Sequence, residues 1–96
     1  SVIYCLECAS CKEIYIGQTG GPLNLRMNVH RQHITHQRYR ILPVSHHIAT
    51  CAAGMDPKFK VFPFYKANNM DDTQREMKEQ FFIDKLKPKL NSTTNP

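Results

Sequence analysis

The sequence predicts a small α+β domain, and three observations lead there. Two short runs of β-branched and aromatic residues, Val2 to Leu6 and Glu13 to Ile16, open the chain around a Cys-rich connection. A third run, Lys58 to Tyr65, alternates Phe59, Val61 and Pro63 against Lys58, Lys60, Phe62 and Phe64. Stretches with helix start and stop signals lie between and after them. With 96 residues the chain forms one domain with a modest core, a size at which a metal or a host protein often helps. Its apolar content excludes global disorder. No apolar run approaches membrane-spanning length and no signal-peptide pattern opens the chain, so no membrane is expected. It begins at Ser1 directly inside a strand without an initiator Met, which reads as a piece of a longer protein.

The first two runs read as a hairpin that ends in a turn at Gln18-Thr19-Gly20-Gly21. Alternation puts Tyr15 and Gly17 on one face of the second run, and Val2 and Tyr4 on one face of the first. Two phenols can then stand side by side. Taken alone, they read as ordinary strand aromatics. Cys8 and Cys11 fall where the hairpin turns, a spacing that aims two sulfurs at one tetrahedral ion. Cys5 lies on the strand and is expected to be packed.

Residues 22–37 are expected to form the first helix, with Pro22 in its first turn, where a missing N–H costs nothing. Leu23, Leu25, Val29 and Ile34 supply an imperfect apolar stripe, and Arg26, His30 and His33 line one side. A guanidinium that clamps phosphate beside an imidazole makes a reaction face. A solvated helix face explains the same residues. A second helix over residues 44–51 puts His47 and Cys51 on one face, so that Cys8, Cys11, His47 and Cys51 would close a Zn²⁺ site. Clustered Cys with His in a chain without export signals favours metal over disulfides.

Residues 52–57 read as a loop, and Pro63 marks the third strand as a sheet edge or bulge. Asp71, Asp72 and Thr73 offer N-caps to a last helix from about Thr73 to Leu86, stopped by Pro88. On that helix Glu79 stands between Phe82, Ile83 and Leu86, on a face expected to be buried, with Glu76 at its margin and Asp84 pointing away. A carboxylate there needs a cation or a hydrogen-bond partner: an ion pair with Lys or Arg, or a divalent metal such as Mg²⁺. Asn91 follows where its amide can cap or brace the site, and residues 92–96 read as a loose tail.

The net charge of +5 is uneven. No acidic residue lies between Glu13 and Asp56, an interval that holds Arg26, Arg31, Arg38, Arg40 and all five histidines. A one-signed surface suits a polyanion, most often nucleic acid, and Arg31, Arg38 and Arg40 are its candidate backbone contacts.

The ordered set Val2-Ile3-Tyr4, Tyr15-Ile16-Gly17, Arg26, His30, Glu79 and Asn91 resembles the GIY-YIG nuclease family over nearly the whole chain, with Val2 where Gly is usual. Cys8-x-x-Cys11 between the two halves, followed by Leu25-Arg26-Met27-Asn28-Val29-His30-Arg31, is similar to the endonuclease domain of Penelope-like retroelements. That subgroup carries a Cys-Cys-His-His insertion, read here as Cys8, Cys11 and His47, with Cys51 in place of the last histidine.

The resemblance implies a three-stranded antiparallel sheet flanked by helices and single-metal phosphodiester hydrolysis of DNA by a domain spanning residues 1–91. Glu79 would hold Mg²⁺ or Mn²⁺, Tyr4 and Tyr15 would position and activate water, Arg26 would stabilise charge on the phosphate, and His30 would assist proton movement. Asn28 and Asn91 would be supporting. A tyrosine acting as base requires a phenol pKa of about 10 to be lowered by nearby positive charge. The resemblance further implies a nuclear module joined to a reverse transcriptase domain of the same polypeptide, nicking DNA to expose a 3′-hydroxyl primer. The other classes of function are a zinc-stabilised nucleic-acid-binding module without cleavage and a zinc-stabilised interaction domain. No residue points to an oligomeric state.

Overall fold

A computed structural model describes residues 1–35, 43–52 and 58–91. Arg38, Arg40, most of the loop expected at residues 52–57 and the expected tail at 92–96 therefore lie outside the described residues. The elements run β1 (Val2–Cys8), β2 (Ile14–Thr19), α1 (Leu23–Thr35), α2 (Pro43–Cys51), β3 (Phe59–Lys66) and α3 (Asp72–Leu86), followed by a 3₁₀ turn, Lys89–Asn91.

The three strands form one antiparallel sheet in the order β2-β1-β3, so the expected three-stranded α+β architecture is the one observed. Both opening strands run longer than their β-branched cores. Cys8 is consequently the last residue of β1 instead of part of the turn, and Lys12 at φ 70° helps to reverse the chain. Pro63 lies on edge strand β3, and the β1–β3 register slips between Ile3, opposite Tyr65, and Tyr4, opposite Pro63. Phe64 is the extra residue of that bulge. A residue without an N–H belongs where the ladder is already broken.

Register sorts the side chains onto two faces. Tyr4 lies opposite Gly17 and Leu6 opposite Tyr15, so both phenols share one face, together with Cys8. α1 and α2 cover this face, which contributes Tyr4, Leu6 and Cys8 to a core with Met27, Ile34, Val44, Ile48 and Leu90. The other face carries Ile3 with its partners Gln18 and Tyr65, and α3 leans on it through Arg75 against Gln18 and Phe82 against Tyr65. Within α1 the buried residues are Met27, His30 and Ile34, whereas Leu25 is 57% exposed. The stripe expected from Leu23, Leu25 and Val29 is thus rotated, because an imidazole that can hydrogen-bond inward takes an apolar position.

Gly17 permits the close approach of the two phenols. A Cβ there would stand 2.5 Å from Tyr4 Cζ and Oη and 2.9 Å from Tyr15 Cε2. Tyr4 is fully buried and cannot swing away. Gly17→Ala is therefore expected to cost about 1–3 kcal/mol, the usual range for overpacking. A lowered urea midpoint at unchanged slope checks this, and an unchanged midpoint contradicts it.

Candidate active site and metal centre

The expected catalytic side chains arrive from four elements: Tyr4 from β1, Tyr15 from β2, Arg26 and His30 from α1, and Glu79 from α3. His30 is 4% exposed and shares a 2.7 Å hydrogen bond between Nε2 and the Tyr4 hydroxyl. Its ring stands edge-on to Tyr4 and Tyr15, each at 5.9 Å between centroids, and to Phe59 at 6.4 Å. The imidazole is thereby fixed between the two phenols and the first residue of β3.

Electrostatics tie the remaining groups to this cluster. Burial pushes Tyr4 up to about 12; a hydrogen bond from Arg26 opposes this, while Tyr15 and Glu79 add to it. Tyr15 is raised by burial and then by Glu79, again against Arg26. The expectation that positive charge lowers a phenol is therefore corrected for the protein by itself. One guanidinium does not offset the loss of water around two buried rings. His30 is pushed down to about 4 by burial, Arg26 and His33, so its ring is neutral at pH 7. A protonated phenol beside a neutral imidazole leaves one proton between two heavy atoms at hydrogen-bond distance.

Glu79 is half-buried instead of fully buried, because α3 covers only part of a small sheet and leaves Leu86 51% exposed. Among the described residues it makes no hydrogen bond or ion pair. Its carboxyl is raised by burial and by Glu76, with Arg26 opposing. An acid that the protein desolvates without neutralising suits a cation. Arg26 Nε is likewise buried without a hydrogen-bond partner among the described residues, a donor open to an anion. Both features fit a divalent metal at Glu79 and a phosphate at Arg26.

Asn91 braces the scaffold. Its Oδ1 accepts from Ile16 N–H at 2.6 Å and its Nδ2 donates to Ile16 C=O at 2.8 Å, closing the open side of β2 between Tyr15 and Gly17. Asn28 faces solvent and accepts from Arg31 Nη1 at 3.0 Å. It thus serves Arg31, not the phenol cluster. Arg31 also lies 5.6 Å from the centre of the Phe59 ring, which presents its guanidinium at the surface.

Sequence reasoning missed Arg75, the buried residue of α3. It donates through Nε to Gln18 Oε1 at 2.5 Å, pairs with Asp72 and packs against Gly20. These contacts dock the first turn of α3 onto the end of β2, one helical turn before Glu79. A charge four residues from Glu79 was the signal, since that spacing puts both on one face.

Cys8, Cys11, His47 and Cys51 bring their ligand atoms within 4.8 Å of one another. Cys11 Sγ is 3.1 Å from His47 Nε2. Burial raises the Cys8 thiol, but backbone hydrogen bonds from Cys11 and Ser10, with the thiols of Cys11 and Cys51, outweigh it and lower the net value. A Cys₃His set of this size can hold zinc. Cys5 lies opposite Ile16 on the other face of the sheet and is not a member.

Against known proteins, the GIY-YIG catalytic domain family matches residues 1–91. No curated protein and no solved structure matches the chain.

Proposed function

The chain belongs to the GIY-YIG catalytic domain family, which implies a nuclease, and on that premise we propose that it is a metal-dependent DNA endonuclease. The observation that carries the reading is the meeting of a desolvated, unneutralised Glu79 with Arg26 and a hydrogen-bonded Tyr4–His30 pair. Arg26 holds the phosphate and offsets the charge that grows on its oxygens during in-line attack. The phenols of Tyr4 and Tyr15 orient the attacking water. Its proton moves toward the Tyr4 oxygen while the Tyr4 proton passes to His30 Nε2, so no buried phenolate accumulates. The hydroxide oxygen bonds to phosphorus, the bond to the 3′-oxygen breaks, and that oxygen takes up a proton to leave a 3′-hydroxyl. Glu79 would hold Mg²⁺ or Mn²⁺, which supplies Lewis-acid stabilisation of the phosphate when bound.

Backbone contacts fall to Arg31 on the exposed side of α1, with Arg38 and Arg40 beyond the described residues. On the finer scale, the Cys8-x-x-Cys11 insertion and the Leu25–Arg31 segment support a place among Penelope-like retroelement endonucleases. In that setting the domain works in the nucleus, joined to a reverse transcriptase, and its nick supplies the primer.

The test is nicking of supercoiled plasmid in Mg²⁺ beside Glu79→Ala. The parent is expected to nick and the variant to lose about a thousand-fold in rate, the scale of removing one group that stabilises transition-state charge. Binding without nicking by the parent would replace this reading with a non-cleaving nucleic-acid-binding module.

A further inference from the structure

The face of the sheet away from the phenols carries an exposed aromatic surface that the nuclease reading does not use. Phe62 is 49%, Phe64 42% and Phe81 49% exposed, although residues of this size are normally covered. Phe82 backs two of them, edge-on to Phe64 at 4.9 Å and to Phe81 at 5.3 Å, and stands edge-on to Tyr65 at 5.4 Å. Phe64 and Phe81 are therefore held in set orientations.

Lysines stand against them. Lys78, Phe81, Phe82 and Lys85 follow at offsets of three, four and seven and form one stripe on α3. Lys78 Nζ lies 5.2 Å from the Tyr65 and Phe81 centroids, and Lys85 Nζ 5.7 Å from that of Phe81. β3 adds exposed Lys60, which stands opposite Glu7 of β1, and no acidic residue occurs between Asp56 and Asp71. Glu76 falls on the opposite side of α3 from this stripe, and Asp84, which flanks it beside Phe81, is tied to Gln80.

We propose that this surface binds an unpaired nucleic-acid strand, with bases stacked on Phe62, Phe64 and Phe81 and phosphates along Lys60, Lys78 and Lys85. Exposed rings interleaved with cations are what a single strand uses, because every unstacked base offers a π-face and every linkage a negative charge. A duplex hides its base faces and has no use for the rings. A protein partner would be expected to meet aromatics with lysine depleted, not lysines set against the rings. Pro63 and the bulge blunt the β3 edge against strand addition, which leaves the ring faces as the binding element. The site is separate from the catalytic face, so it stands or falls independently of cleavage.

The test is fluorescence anisotropy with a labelled oligo-dT strand and a duplex of similar length, without added Mg²⁺, using the chain and three variants. Phe64→Ala and Phe81→Leu should each weaken single-strand binding by about ten-fold, as loss of one stacked base does, and leave duplex binding unchanged. Phe81→Trp should keep or tighten it. Melting temperatures measured alongside separate lost contacts from lost folding, and these rings are exposed enough for the fold to persist. The proposal is overturned if the parent does not bind the strand, or if Phe81→Leu binds it as the parent does, since a merely apolar contact survives that change.

Discussion

Stripping zinc from the protein, or replacing Cys8 by serine, is expected to lower the melting temperature by roughly 15–30 °C. The figure follows from a metal present at about 1,000 times its dissociation constant, which stabilises by about 4 kcal/mol, and from the small unfolding entropy of a domain this size. The Cys₃His cluster joins the end of β1, the hairpin turn and the last two turns of α2. Without it, α2 is held to the sheet chiefly by Val44 and Ile48. Cys8 is fully buried, so an unmetallated thiolate there would also be a desolvated charge. Elemental analysis should find one zinc per chain, and thermal melts with and without chelator should separate by this interval. Metal-free protein with an unshifted melt for Cys8→Ser would remove zinc from the account.

Acidification is expected to have the second large effect. His30 is buried beside Arg26 and His33, and its pKa is pushed down to about 4 from an ordinary value near 6.5. Between those values the unfolded chain binds a proton that the folded chain refuses. Stability is thus fully present above about pH 6.5 and is lost as pH falls toward 4, by at most about 3 kcal/mol. The groups facing the ring are Tyr4, Tyr15 and Phe59 from the sheet, with Arg26 and His33 on its own helix, and no carboxylate is among those that set its pKa. Urea titrations from pH 7.5 to 4.5 check this. His30→Gln should flatten the acid limb, even if its midpoint at pH 7 is lower. A limb as steep in His30→Gln as in the parent would assign the acid sensitivity elsewhere.

The two effects bracket the site from opposite ends. Phe59 pairs with Cys8 in the β1–β3 ladder and lies edge-on to His30, so the Cys₃His cluster and the imidazole share one neighbour. Loss of a metal from that cluster is therefore expected to reach His30 and the phenols through β3 as well as through global stability.

Local signals in the chain were enough to find the elements. β-branched and aromatic runs marked β1, β2 and β3, Pro63 marked the edge and bulge, and Asp71 proved to be the N-cap among three adjacent possibilities, in a capping box with Gln74. Alternation put Tyr15 with Gly17 and Tyr4 with Val2, and the register that sets Tyr4 opposite Gly17 then brought both phenols onto one face. The spacing of Cys8, Cys11, His47 and Cys51 was sufficient to anticipate their convergence, because a turn and a single helical repeat fix most of that geometry.

What periodicity could not reach were the amounts of burial. Glu79 was expected on a covered face, but a three-stranded sheet is too narrow to cover all of α3, and Arg75 became its buried residue. Likewise, a phenol lowered by positive charge is a natural expectation until the rings are enclosed. Desolvation depends on how many neighbours exclude water, and those neighbours come from β1, β2, α1 and α3 together. Residue types, element boundaries and the metal-ligand spacing were thus settled by the order of amino acids, since they depend on contacts a few residues apart. The strand order with β1 at the centre, the neutral His30, the raised phenols and a Glu79 that pairs with none of the described residues were decided by the tertiary structure, because each is a balance of burial and charge among groups far apart in the chain.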